Sequence, residues 1–385
     1  AIARKARRSI VKVIELVTTL KSRDAIRVVG KTKTSGGRPS FVYQVNPDLV
    51  YTVGVSVWTD KLIASVVNAT LDVVYEETIP FELPADLTTH SDYLVDQITA
   101  TVQRITKTVC LRKLVGGVGI ALPGMVDSDR GIWFAGLQIS GISHIPLSRL
   151  LTERLSLPVF VEDIARTLAF REMRQMSGKR PKHFVFLYLG FGMGTGVIIN
   201  RRLYKGYHGL AGEIGHVEHA DNNYRCSCNN VGCLETILSI GGVRRLFADR
   251  LTEGVRSILQ VANGGIRPES PTIQEIYDAA RQEDRFTIMT LTEIGRFLGD
   301  SCATLVKLFN PQRIYVGGPL AIFRPYFQQP VDEVLSRHAL PEMLENFRVE
   351  FLEYEPKNEA QGAGFLALDR FCHSLTRLPS SGSRR

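Results

Sequence analysis

Residues 216–235 read HVEHADNNYRCSCNNVGCLE and hold three of the chain's six cysteines, with a histidine ten positions ahead of the first of them. Cys226 and Cys228 stand too close in sequence to bridge each other easily. Three thiolates and one imidazole, by contrast, supply the four soft-to-borderline ligands of a closed tetrahedral zinc site. The spacing predicts one structural Zn²⁺ per chain on His216, Cys226, Cys228 and Cys233, with His219 as the alternative histidine. Four protein ligands leave no position open to water, so such an ion folds a loop and performs no hydrolysis.

LAGEIGH at 210–216, CSC at 226–228 and GCLE at 232–235 resemble the signature of the ROK family, named for repressors, open reading frames and sugar kinases. ALPGMVD at 121–127, LFNP at 308–311 and VGGP at 316–319 stand in the family's order and approximate spacing, so the resemblance runs from about residue 51 to 368. Within the family the chain is similar to sugar-responsive transcriptional repressors of the NagC and Mlc type. That resemblance implies an α/β fold: a two-lobed, sugar-kinase-like body of the actin/hexokinase, ribonuclease H-like kind, preceded by a truncated N-terminal winged helix-turn-helix. It also implies a homodimer or homotetramer, and as partners double-stranded DNA together with a sugar, a sugar phosphate or a sugar-transport protein.

Charge is divided unevenly along the chain. Residues 1–39 carry eleven Lys or Arg against Glu15 and Asp24, a net +9, while all 385 residues together carry +8. The positive field is therefore confined to the first tenth, as expected of a small module that meets phosphates. Ile10, Val13, Ile14, Val17 and Leu20 recur at helical spacing, and Arg4, Lys5, Arg7, Arg8 and Lys12 gather toward that helix's start. A strand at 25–29, a turn at 30–39 bearing Lys31, Lys33 and Arg38, and a strand at 41–45 follow. Helix, strand, wing and strand over residues 1–46 resemble the second half of a winged helix-turn-helix. Only Ala1, Ile2 and Ala3 precede the basic cluster, so the helix that should cross the DNA backbone looks missing and DNA binding is expected to be weak.

The body reads as strands and helices with a cleft between lobes. The first lobe is expected at 47–162, with strands at 51–57, 62–68, 71–79 and 116–121 and a helix at 90–109. The second is expected at 163–357, with strands near 158–161, counted with this lobe, and at 184–189, 196–200 and 313–316, and helices at 164–176, 233–250, 272–281 and 284–309. A helix at 358–371 should return to the first lobe, and 372–385 should be a disordered tail. With 44% hydrophobic residues the chain can bury a large core. No apolar run reaches the length of a membrane span, and the basic start lacks a secretory signal's apolar stretch, so a cytoplasmic protein without membrane insertion is expected. Cys110, Cys302 and Cys372 are dispersed, as reduced thiols would be.

Active family members resemble one another in an Asp-x-Gly-Gly-Thr phosphate loop, and this chain has Ser56, Val57, Trp58, Thr59 and Asp60 there. Ser56 replaces the acid, while Trp58 and Thr59 add bulk where glycines let backbone amides approach phosphate. The glycine run at 190–196 survives but satisfies no dinucleotide fingerprint. Kinase members carry Glu-Asn-Asp at a strand-to-helix turn, the Asp being the catalytic base. Aligned without gaps, Glu162, Asp163 and Ile164 put Ile164 at the base position. A shifted register would put Asp163 there, at the cost of turning its side chain to the opposite face. Phosphotransfer is not expected, and a sugar kinase with an unusual site is the alternative. Glu213, His216 and Glu235 match family positions that hydrogen-bond sugar hydroxyls, with Asp163 on the facing wall; otherwise Glu213 and Glu235 brace the zinc loop.

Overall fold

The computed structural model describes residues 2–32, 40–136, 139–176, 181–219, 221–262, 265–266 and 270–376. Two five-stranded sheets form the body, and both have the same strand order. In the first, Tyr51–Val57, Lys61–Asn68 and Val73–Pro80 make an antiparallel meander, and Val115–Leu122 then Val159–Asp163 add in parallel on the other side of Tyr51–Val57. In the second, Phe184–Leu189, Met193–Ile199 and Arg202–Tyr204 make the meander, and Arg313–Gly317 then Arg348–Phe351 add in parallel. This duplicated topology is the ribonuclease H-like pair expected from the sequence. Tyr51–Val57 and Phe184–Leu189 are buried throughout, as central strands covered on both faces must be.

Two helices lie at the junction. Ile164–Gln175 packs on the second sheet, Lys357–Thr376 packs on the first, and the two pack on each other. The second contact depends on missing side chains: a Cβ on Gly54 would sit 1.9 Å from the Ala360 carbonyl oxygen, and one on Gly119 would sit 1.9 Å from that of Ala363. Separate apolar cores fill the lobes, one around Phe247, Phe323 and Phe327, the other around Ile98, Ile105 and Trp133. No helix among the described residues is long and apolar enough to cross a membrane.

Five expectations are corrected. The strand read near 158–161 with the second lobe is Val159–Asp163 of the first sheet, because it pairs in parallel with Val115–Leu122. The helix expected at 233–250 is two helices, Glu235–Leu238 and Ile240–Thr252. Ser239 is extended between them, and its hydroxyl caps the second by accepting from the Gly242 amide at 3.1 Å. The strand expected from 71 begins at Val73, because the Asn68 side chain accepts from the Thr70 and Asp72 amides and folds 68–72 into a turn. The strand expected at 196–200 begins earlier, at Met193, and ends at Ile199, so the glycine run at 190–196 joins two paired strands and its second half belongs to the latter of them. The final helix continues to Thr376, so the first five residues of the expected tail are helical; 377–385 lie outside the described residues.

The head departs from a single basic helix start. Arg4 lies on a short helix, Ile2–Ala6; Arg7 adopts a left-handed conformation at φ 49°, and Ser9 caps the helix Ile10–Ser22. Lys5 belongs to the short helix, Arg8 to the turn, and Lys12 to the first turn of the longer helix. Ile26–Lys31 and Phe41–Val45 pair antiparallel behind it. Lys31 ends the first of these strands, while Lys33 and Arg38 lie outside the described residues. Ile10, Val11 and Ile14 are exposed.

Candidate metal loop and ligand pocket

Metal-type donors converge in the loop at 216–233. One ligand atom from each of His216, Cys226, Cys228 and Cys233 lies within 4.8 Å of the others. His216 Nδ1 is 3.7 Å from Cys226 Sγ, and Cys228 Sγ is 3.6 Å from Cys233 Sγ. Tetrahedral zinc with Zn–S bonds of about 2.3 Å sets its sulfurs about 3.8 Å apart, so the spacing and the donor set both fit a metal. Backbone bonds shape the knuckle: the Cys226 amide donates to Asn230, the Gly232 amide to Tyr224 and the His219 amide to Gly232. His219, the alternative ligand, is engaged elsewhere, with Nε2 3.4 Å from Asp300.

His216 also faces a small cavity of about 60 Å³, which is lined by Asp163, Ile164, Tyr188, Phe191, Glu213 and Glu235 among others. The four residues expected to face a sugar, Glu213, His216, Glu235 and Asp163, all line this cavity. Glu213 arrives on the loop before the 3₁₀ turn Ile214–His216, and Glu235 begins the helix after the metal knuckle. The Glu235 carboxylate accepts from the Met193 amide at 3.0 Å, which anchors the former glycine run to the metal loop. Asp163 ends its strand and caps the helix Ile164–Gln175, accepting from the Arg166 amide at 2.9 Å. Ile164 is the first residue of that helix and also lines the cavity.

Electrostatics behind this wall were not legible from spacing. Arg166 is fully buried, its Nε 2.7 Å from Glu162 and 2.5 Å from Asp163. Its other nitrogens donate to the Ala211 and Val126 carbonyls, so one guanidinium ties the loop bearing Glu213 to the first lobe. Burial pushes the Glu162 carboxyl up, but Arg166 and Lys205, 2.9 Å away, outweigh it and hold the group below its ordinary range. Asp163 is raised by burial. Burial, with Asp163 and Glu235 nearby, pushes Glu213 up to about 7, a value at which a carboxyl both donates and accepts.

Across the cleft, Ser56 and Trp58 are wired to Glu359, another residue that sequence reasoning missed. Glu359 is wholly buried and accepts from Ser56 Oγ at 2.5 Å, Trp58 Nε1 at 3.0 Å and Tyr354 at 2.5 Å, with Tyr188 at 3.5 Å. Trp58 meets Phe191 edge-on, ring centroids 5.0 Å apart, and Lys61 Nζ lies 4.5 Å from the Trp58 ring. Side chains of both lobes and the final helix thus meet at one carboxyl. Its signal in the sequence was a charge on the same face of a helix as Ala363 and Leu366.

The ROK family pattern matches residues 52–370. A xylose repressor of Caldicellulosiruptor bescii is 26% identical over 321 residues, covering 83% of this chain and 79% of the repressor. A glucokinase of Halalkalibacterium halodurans is 30% identical over 236 residues, covering 60% of this chain and 71% of the kinase. Among solved structures, a ROK family transcriptional regulator described as a homologue of the E. coli Mlc protein superposes with a TM-score of 0.81 at 22% identity, covering 97% of this chain and 92% of that one. A family match spanning most of the chain, on the two-lobed fold and the cysteine loop just described, establishes that the protein belongs to the ROK family.

Proposed function

We propose that this chain is a sugar-responsive transcriptional repressor of carbohydrate genes. The observation that carries the reading is the joining of a +9 segment, residues 1–39, to a body whose cleft gathers Glu213, His216, Glu235 and Asp163 around a cavity bordered by Ile164. A basic helix, turn and helix meets DNA phosphates, carboxylates with an imidazole meet sugar hydroxyls, and an isoleucine accepts no proton. The division of labour follows: residues 1–46 contact DNA, 47–162 with the final helix and 163–357 form the lobes, and His216, Cys226, Cys228 and Cys233 hold one structural zinc. Zinc on Nδ1 would leave the other nitrogen of His216 for ligand and fix its tautomer. Arg4, Lys5, Arg7, Arg8, Lys12, Lys31, Lys33 and Arg38 are the DNA-facing cations, and two heads reading paired half-sites require a dimer or tetramer. The work of such a protein is done in the cytosol.

A sugar kinase is the second reading, favoured by the glucokinase likeness and by Asp163 at the cavity wall. Ser56 and Trp58, both bonded to Glu359, argue against it, because they occupy the position at which backbone amides would approach phosphate. Purified zinc-loaded protein assayed with magnesium ATP and a panel of hexoses and pentoses is expected to form no sugar phosphate. Turnover abolished by Asp163→Asn would make it a kinase.

A further inference from the structure

Resting on the reading that the cleft holds a sugar, we propose that the effector is an uncharged sugar and that the cleft rejects sugar phosphates. A phosphate in a protein cleft is held by Lys or Arg, by backbone amides at a glycine loop, or by the open N-terminus of a helix. Each of these resources is present here in outline, and in each a donor is already bonded to a carboxylate of the chain.

The glycine loop comes first. Its Met193 amide donates to Glu235 at 3.0 Å, a buried bond that a phosphate would have to displace. The helix Ile164–Gln175 begins at the cavity, but Asp163 caps it, accepting from the Arg166 amide at 2.9 Å. In the facing lobe, Ser56 Oγ and Trp58 Nε1 both donate to Glu359, and the Trp58 ring against Phe191 closes that side. No Lys or Arg lines the cavity among the described residues, whereas Asp163, Glu213 and Glu235 do. Arg166 stands behind that wall between Glu162 and Asp163, with its remaining nitrogens on carbonyls. A dianion entering this cavity would lose its hydration without gaining a counter-charge from the residues that line it, and would approach three carboxyl groups. A neutral polyol has no such penalty, and the same carboxyls and His216 match its hydroxyls.

The test is calorimetric titration of the zinc-loaded full chain with pairs of ligands: aldohexoses, their 2-acetamido derivatives and aldopentoses, each beside its terminal monophosphate. The account predicts a neutral sugar that binds at least about tenfold more tightly than its own phosphate, about 1.4 kcal/mol. It also predicts that Asp163→Asn narrows that ratio by strengthening the phosphate's binding relative to the sugar's, an effect that general damage to the pocket would not produce. A phosphate binding as tightly as its parent sugar would overturn the inference and leave the sugar-sensing reading standing. Equal weakening of both ligands in Asp163→Asn would remove the charge argument. Binding of no sugar and no phosphate would overturn both.

Discussion

Glu359 ties the two sides of the cleft together, since one buried carboxyl joins Ser56 and Trp58 of the first lobe to Tyr188 of the second. Burial raises its pKa above the ordinary carboxylate value, against the pull of its four donors. A raised folded-state pKa gives stability that is complete below the unfolded value, near 4.5, and is lost as pH rises through the folded one. Glu359→Gln does not titrate, so the melting temperature of the variant relative to wild type should climb as pH goes from about 4.5 to 8.5. Thermal melts of both proteins across that range check it, and a constant offset would place the carboxyl's titration outside the folding equilibrium. Cys226 carries the second prediction at this scale. Cys226→Ser should lose zinc by metal analysis and cost about 3 kcal/mol or more in denaturant titration, because ligand binding is coupled to folding of the loop. The metal cluster was legible because its four residues fall within eighteen positions, 216–233. Glu359 and Arg166 were not, because their partners stand up to 303 and 45 positions away, and no periodicity announces such a pair.

At the scale of elements, the seam between the first sheet and the final helix decides how the lobes meet. Gly119→Ala places a methyl 1.9 Å from the Ala363 carbonyl oxygen, and backbone rather than a flexible side chain must then move. The expected cost is about 3 kcal/mol by denaturant titration, with zinc content unchanged since the metal loop is in the other lobe. A neutral result would show that the helix rides higher on the sheet than described. Strands and long helices were readable here because alternation and helical spacing survive burial: the helix expected at 284–309 is Arg285–Phe309. The readings that failed lie where one polar side chain overrides a periodic pattern, as Ser239 does in breaking the helix expected at 233–250.

At the level of the whole molecule, a cationic head is joined to a body whose cleft is proposed to take a neutral sugar. If Arg4, Arg7, Arg8, Lys12 and Lys31 face phosphates, log affinity for duplex DNA should fall with log salt at a slope of about −3 to −5, near −0.9 for each neutralised phosphate. The head's charge was plain in the sequence; its arrangement as a short helix, a turn at Arg7 and a longer capped helix was not, because Arg7's left-handed backbone leaves no compositional mark. Coupling between head and cleft requires that ligand have different affinities for the DNA-bound and free forms. The most direct measurement is fluorescence anisotropy of labelled duplex DNA titrated with zinc-loaded protein at several salt concentrations, with and without a saturating neutral sugar identified by calorimetry. Coupling of the head to the cleft predicts a steep salt slope and a several-fold change in DNA affinity when sugar is present. DNA affinity unchanged by a sugar that the same protein demonstrably binds would contradict it.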